Sequence, residues 1–159
     1  MARRSNTCRG GAKLDSANEL NFSDSSHFLT DGRFFHVHST AAGKAMLAEY
    51  SEERVRKIVQ QVGLPKKTED TITSEELYEE LEDIRECGYA TNDEEAIKGL
   101  WAIEKTVKTP IGDICGSLNL SAPTYLYTED MEQSAVETLK QQVSIFEDRI
   151  KTQFDEMYG

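Results

Sequence analysis

"HSTAAGKAMLAEY", residues 38–50, sets a Gly-Lys pair at the start of a helical run, and its reading decides what kind of fold follows. A phosphate-cradling loop needs glycine, four spacers and then Gly-Lys-Ser/Thr, because glycines let the backbone wrap a phosphate and the hydroxyl holds magnesium. Here the pair is Gly43-Lys44, with His38 five residues before Gly43 and Ala45 after Lys44. Both diagnostic positions carry the wrong residue, and the nucleotide reading fails. What remains is a short helix over Ala41 to Glu49, capped by Ser39 or Thr40. Its small side chains allow close packing or close approach by a ligand.

Working outward, "RFFHVHS" (33–39) is aromatic and branched, which predicts a short strand before the helix. After it, "SEERVRKIVQQVGLP" predicts a second helix capped by Ser51, with Glu52 and Glu53 favourably placed in its first turn. Val55, Ile58, Val59 and Val62 recur at helical spacing as one buried stripe, and Gly63 and Pro65 stop it. A third helix opens with a capping box, Thr73 and Glu76, turns Leu77, Leu81 and Ile84 inward and ends at Gly88. The period then changes. "GLWAIEKTVK" (99–108) and "DICGSLNLS" (113–121) alternate around "TPIGD", the pattern of an antiparallel hairpin. Thr128 caps a long last helix whose Ala135, Leu139, Val143, Phe146, Ile150 and Phe154 run down one face. Strand, three helices, hairpin and long helix make an α+β fold, helices against an antiparallel sheet.

The chain of 159 residues suits one domain, and its net charge is −11. Residues 1–13 hold four basic side chains and no acidic ones, so the body carries −15. Such a body repels phosphate backbones, and DNA binding by this chain alone is not expected. Residues 1 to about 30 lack periodicity and are expected to be poorly ordered. No window of 18 apolar residues and no secretory signal is found. Three cysteines (Cys8, Cys87, Cys115) without CxxC spacing suggest a reduced cytoplasmic protein.

Several groups of residues carry chemistry. His36 and His38 share one side of a strand, with His27 near in sequence, but no Cys or carboxylate at ligand spacing joins them. A sheet-face pair is preferred to a metal site. "NDEE" (92–95) lies in a loop or strand, where a solvated acidic turn is preferred to an acid–base pair. Cys115 is expected as a small core residue, and no G-x-S-x-G elbow exists. Asn119 and Ser121, two apart, project from one sheet face opposite to Leu118 and Leu120. An amide and a hydroxyl facing inward must be hydrogen-bonded, to backbone or to a ligand in a pocket.

Taken in order, "HSTAAGKAMLAEYSEERVRKIV", "GLPKKTEDTITSEELYEELEDIRECGYATNDEEAIKGLWAI", the "LNLSAPT" strand end and the long last helix resemble the effector-binding domain of IclR-type transcriptional regulators. The similarity runs from about Arg33 to Ile150. The resemblance implies a GAF-like or profilin-like fold over residues 33–156, behind a divergent segment 1–32. It also implies a small-molecule pocket and a function in transcription regulation. The family normally joins this domain to a winged helix-turn-helix and works as dimers or tetramers. No such three-helix pattern is visible in the 32 residues that lead in.

Carried over by position, the backbone around Ala41, Ala42 and Gly43 would meet the effector's polar head at a helix N-terminus. Asn92 stands where the family has an acidic residue, Ala102 where it has Cys or a small residue, and Asn119 and Ser121 at its two inward polar positions. Glu95 matches a family glutamate. Asn92 for Asp, Ala102 for Cys, and Glu104-Lys105 where small residues and proline are usual set this chain apart. The expectation is therefore a non-enzymatic sensor of a small organic acid or aromatic effector, without cofactor. It would be oligomeric with itself or with full-length relatives, and would touch DNA only through them. The alternative is an interaction or inhibitory subunit that senses nothing.

Overall fold

The computed structural model describes residues 38–158. The expected N-terminal strand, His27 and His36 lie outside them; His38 is described, in a turn and not on a strand. Helix α1 is Ala41–Ala48, with Thr40 in extended conformation accepting the Gly43 N–H at 3.1 Å. Helix α2, Glu52–Val62, is capped by Ser51. Helix α3, Ser74–Cys87, has the full Thr73–Glu76 capping box. It ends on Gly88 at φ 80°, where a side chain would be strained, and the Gly88 N–H closes on the Ile84 carbonyl at 2.7 Å. Then follow β1 (Ala90–Asp93), β2 (Leu100–Lys108), β3 (Ile114–Pro123), a 3-10 turn (Thr124–Leu126) and α4 (Glu129–Tyr158).

The strands form one antiparallel sheet in the order β1-β2-β3. Alternation along β2 separates two layers. Ala102 joins Ala41, Ala45, Val55, Leu77, Leu81 and Ile84 in a core beneath α1, α2 and α3. On the other face Trp101 and Ile103 pack with Cys87, Tyr89 and Leu139 of α4. The Trp101 and Tyr127 rings meet at 5.5 Å. Helices thus cover both faces of an antiparallel sheet, the α+β, GAF-like architecture expected. Among the described residues no helix is long and apolar enough to cross a membrane.

Four details differ from the sequence pattern. Strand β1, too short to show a period, adds a third strand ahead of the hairpin. Among the described side chains of α2 only Val55 is fully buried, while Ile58 and Val59 are half-buried because the helix lies at the rim of its core. Cys115 is exposed: the register slips between Val107 and Lys108, which pair with Gly116 and Ile114 and leave Cys115 without a partner in the ladder. Its thiol donates to the Val107 carbonyl at 3.3 Å. Finally, the apolar stripe of α4 is buried only at Leu139 and Val143. Thirty residues of helix span about 45 Å, whereas the nine and ten residues of β2 and β3 span about 30 Å. The helix outruns the sheet, and Phe146 is 45% exposed.

Leu81→Ala should therefore cost about 2–5 kcal/mol in urea unfolding, and Phe146→Ala only about 0.5 kcal/mol. Equal losses would contradict this division of α4 and the core.

Candidate functional site

Helix α1 is laid along β2. Its N-terminal end is held by the Asn92 amide of β1, which donates to the Ser39 carbonyl in a short contact. At its other end Glu49 accepts the Thr106 hydroxyl at 2.8 Å and pairs with Lys108 at 2.6 Å. Burial acts to raise the Glu49 carboxyl, but the bonds from Lys108 and Thr106 outweigh it and hold the group below its ordinary range.

Between these ends lies Lys44, 1% exposed. Its ammonium reaches Glu80 of α3 at 2.7 Å and both carboxylate oxygens of Glu95 at 2.8 and 3.0 Å. The Gly-Lys pair of the opening stretch is thus an internal clamp. Glu95 is fixed in turn by its backbone: its carbonyl accepts the hydroxyls of Thr68 at 3.1 Å and Thr71 at 2.7 Å. Its neighbour Glu94 sits in the left-handed region, φ 63°, a conformation uncommon outside glycine. The Glu94 carboxylate accepts the Thr124 hydroxyl at 2.7 Å and the Gly99 N–H at 3.1 Å, and pairs with Lys98 at 2.7 Å. The bonds from Lys98 and then Thr124 hold its carboxyl below the usual range. "NDEE" is therefore neither an acid–base pair nor a solvated turn. It locks the β1–β2 connection to α1, to α3 and to the end of β3.

The register sets three of the expected site residues side by side. Asn92 pairs with Ala102, and Ala102 with Ser121, in one row across all three strands. Asn119 lies in the adjacent row, opposite Glu104. All four share the sheet face that carries α1. Asn92 is 3% exposed, and its Nδ2 is committed to a carbonyl that can only accept. Its Oδ1 is therefore turned the other way, buried and without a hydrogen-bond partner among the described residues. At the helix terminus, the Gly43 N–H is already taken by Thr40, which leaves those of Ala41 and Ala42 as the first-turn donors without an intrahelical partner. Asn119 is exposed, and its amide donates to Glu104 at 3.2 Å.

A separate cleft of about 170 Å³ opens at the far end of α1, lined by Ala45, Ala48, Glu49, Ile84, Arg85, Gly88, Tyr89, Lys105, Thr106 and Lys108. Lys108 is paired with Glu49, and the cleft's other two cations bond backbone carbonyls at or just past helix ends. Arg85 donates to the Ala48 and Tyr50 carbonyls at 2.9 and 3.1 Å, and Lys105 to the Gly88 carbonyl at 3.0 Å. None of the expected site residues lines it.

This arrangement of sheet, α1 and long terminal helix is shared with known proteins. The family described as "Bacterial transcriptional regulator IclR C-terminal" matches residues 21–145. The chain belongs to this IclR family. The HTH-type transcriptional regulator KdgR of Dickeya chrysanthemi is 38% identical over 109 residues, 68% of this chain. The aligned part is 36% of that relative's length, so the chain spans little more than a third of it. The solved C-terminal domain of Escherichia coli KdgR superposes with a TM-score of 0.67 at 31% identity, covering 72% of this chain and 70% of that one. The inducer-binding domain of PobR from Acinetobacter, solved with 3-hydroxybenzoic acid, has a TM-score of 0.66. At 23% identity over 70% of this chain and 66% of that one, it shows the shared fold alone.

Within this IclR-type domain, the residues that sequence reasoning passed over are Lys44 and Glu80, while Glu95 was noticed only as a match. A signal was present: Lys44 lies three residues after Ala41 and four before Ala48, on the helix's inward stripe. Lys44→Met should destabilise the domain by about 3–5 kcal/mol, since it removes the cation that two carboxylates face, one of them buried. Chemical denaturation measures this; a loss under about 1 kcal/mol would show that the clamp is dispensable.

Proposed function

We propose that this domain senses a small organic acid or aromatic effector and passes its bound state to a DNA-binding domain. The observation that carries the reading is Asn92 Oδ1, a buried acceptor with no partner among the described residues. Leaving such a group unpaired costs about 1–3 kcal/mol, so a site that retains it has use for an incoming donor. The chemistry around it suits a ligand. The first-turn N–H groups of Ala41 and Ala42 favour an anionic or carbonyl oxygen. Ala102 places only a methyl group in the middle of the row, and Ser121 stands at its far end. The same fold holds 3-hydroxybenzoic acid in a double mutant of the PobR inducer-binding domain, a ligand of the class proposed here.

Binding would regulate by population shift: only a ligand with different affinity for two arrangements of an oligomer can move one toward the other. On this reading the domain is a regulator and not an enzyme, and DNA is reached through a helix-turn-helix of the kind named in its relatives. A second reading, a pairing subunit that senses nothing, is favoured by the exposed end of α4, where Met157 and Tyr158 are 70% and 75% exposed.

The two part in a metabolite screen by thermal shift. A sensor gains RT ln(1 + [L]/Kd), about 2.7 kcal/mol at a hundredfold excess over Kd, and a pairing subunit gains nothing. Asn92→Ala and Ser121→Ala should each weaken the responding ligand roughly 3- to 10-fold, the worth of one hydrogen bond. Unchanged affinity in both variants would reject the site.

A further inference from the structure

One side chain on the site's face remains without a role in that reading. Glu104 lies on β2 two residues beyond Ala102, paired across the sheet with Ala90 and Asn119. It is 6% exposed, and no cation among the described residues pairs with it. Its carboxylate takes two donors, the Ser117 hydroxyl on Oε1 in a short contact and the Asn119 amide on Oε2 at 3.2 Å. Burial raises its carboxyl above the usual range, and those two donors only partly offset the effect. A carboxylate offers about four acceptor positions, so two remain. Both of its partners are on β3, which places the carboxylate between the α1-covered part of the sheet and the more open β3 side.

Buried acceptors of this strength are matched by donors. We propose that Glu104 determines the class of effector: an acid whose other end carries a hydroxyl or ammonium donor, received by the Glu104 carboxylate. The inference rests on the effector reading above and adds to it the chemistry of the ligand's second end. The spacing sets the length. Two residues along a strand are about 6.5 Å, so a head group over the Ala102 row is separated from the Glu104 row by a chain of about four or five bonds. The same carboxylate excludes diacids of that length, because two like charges sharing a buried site cannot both remain ionised cheaply. The N–H groups at the start of α1 set the carboxylate head; Glu104 reads the tail.

The test is calorimetric titration of the chain and of its Glu104→Ala and Glu104→Gln variants with a matched series: pentanoate, 5-hydroxypentanoate, 5-aminopentanoate and glutarate. The unaltered chain should bind the hydroxy and amino acids at least about 10-fold more tightly than pentanoate, a difference of about 1.4 kcal/mol, and reject glutarate. Glu104→Ala should level the series. Glu104→Gln, which keeps an acceptor oxygen but no charge, should retain the preference for the hydroxy acid and lose that for the amino acid. Equal binding of pentanoate and its substituted forms, or the same ranking after Glu104→Ala, would overturn the proposal. So would failure of all four to bind, whereas a thermal-shift response to any other metabolite would leave the sensor reading standing.

Discussion

The ammonium of Lys44, sealed between Glu95 and Glu80, is the contact on which the rest of this structure depends. It joins three pieces of chain that share no backbone hydrogen bonds: α1, α3 and the connection between β1 and β2. Taking one cation and two carboxylates out of water is costly, and the arrangement is viable only because the geometry is close and the surrounding groups are satisfied. Bonds of 2.7 to 3.0 Å to three oxygens meet the first condition. The threonine hydroxyls that hold the Glu95 carbonyl meet the second. An apolar side chain at position 44 would bury as well, but would fix neither the rotation of α1 nor its height along β2.

That rotation matters for chemistry. With α1 held from its middle, tied at one end by Asn92 and at the other by Glu49, its first turn comes to rest beside the row Asn92–Ala102–Ser121. The row is rich in acceptors: Asn92 Oδ1 unpartnered, and Glu104 one row away. The helix end supplies the N–H donors. A donor-rich end facing an acceptor-rich floor favours ligands with a polar group of each kind, and the Glu104 inference extends this pairing of opposites. The acidic body, which on charge alone argues against direct phosphate contact, is consistent with a domain whose partners are small molecules and protein.

Much of this was legible in the sequence, for identifiable reasons. Helix ends are local chemistry, so the caps at Ser51, Thr73 and Thr128 and the stop at Gly88 could be read directly, and the cap of α1 was narrowed to Ser39 or Thr40. The hairpin was equally plain, because two alternating runs flank a Pro-Gly turn. What could not be read depends on distant partners. The four residues of β1 show no period of their own and become a strand only by pairing with β2. Cys115 alternates as though inward, and only the slip at Val107 and Lys108 turns it out. The lower half of α4 carries a core-like stripe, but where the sheet stops beneath it is not written in the helix. Lys44 is the sharpest case. A lysine is expected outside, and nothing local announces that Glu95, 51 residues away, will meet it.

The most direct test of this account is a double-mutant cycle between Lys44 and Glu95, with Lys44→Met, Glu95→Gln and the pair compared by equilibrium unfolding. The account requires strong coupling, with the double variant more stable than the sum of the single losses by about 1–3 kcal/mol. Losses that add within about 0.5 kcal/mol would mean that the two side chains do not act as a unit, and α1 would then have to be held over the sheet by its alanines alone.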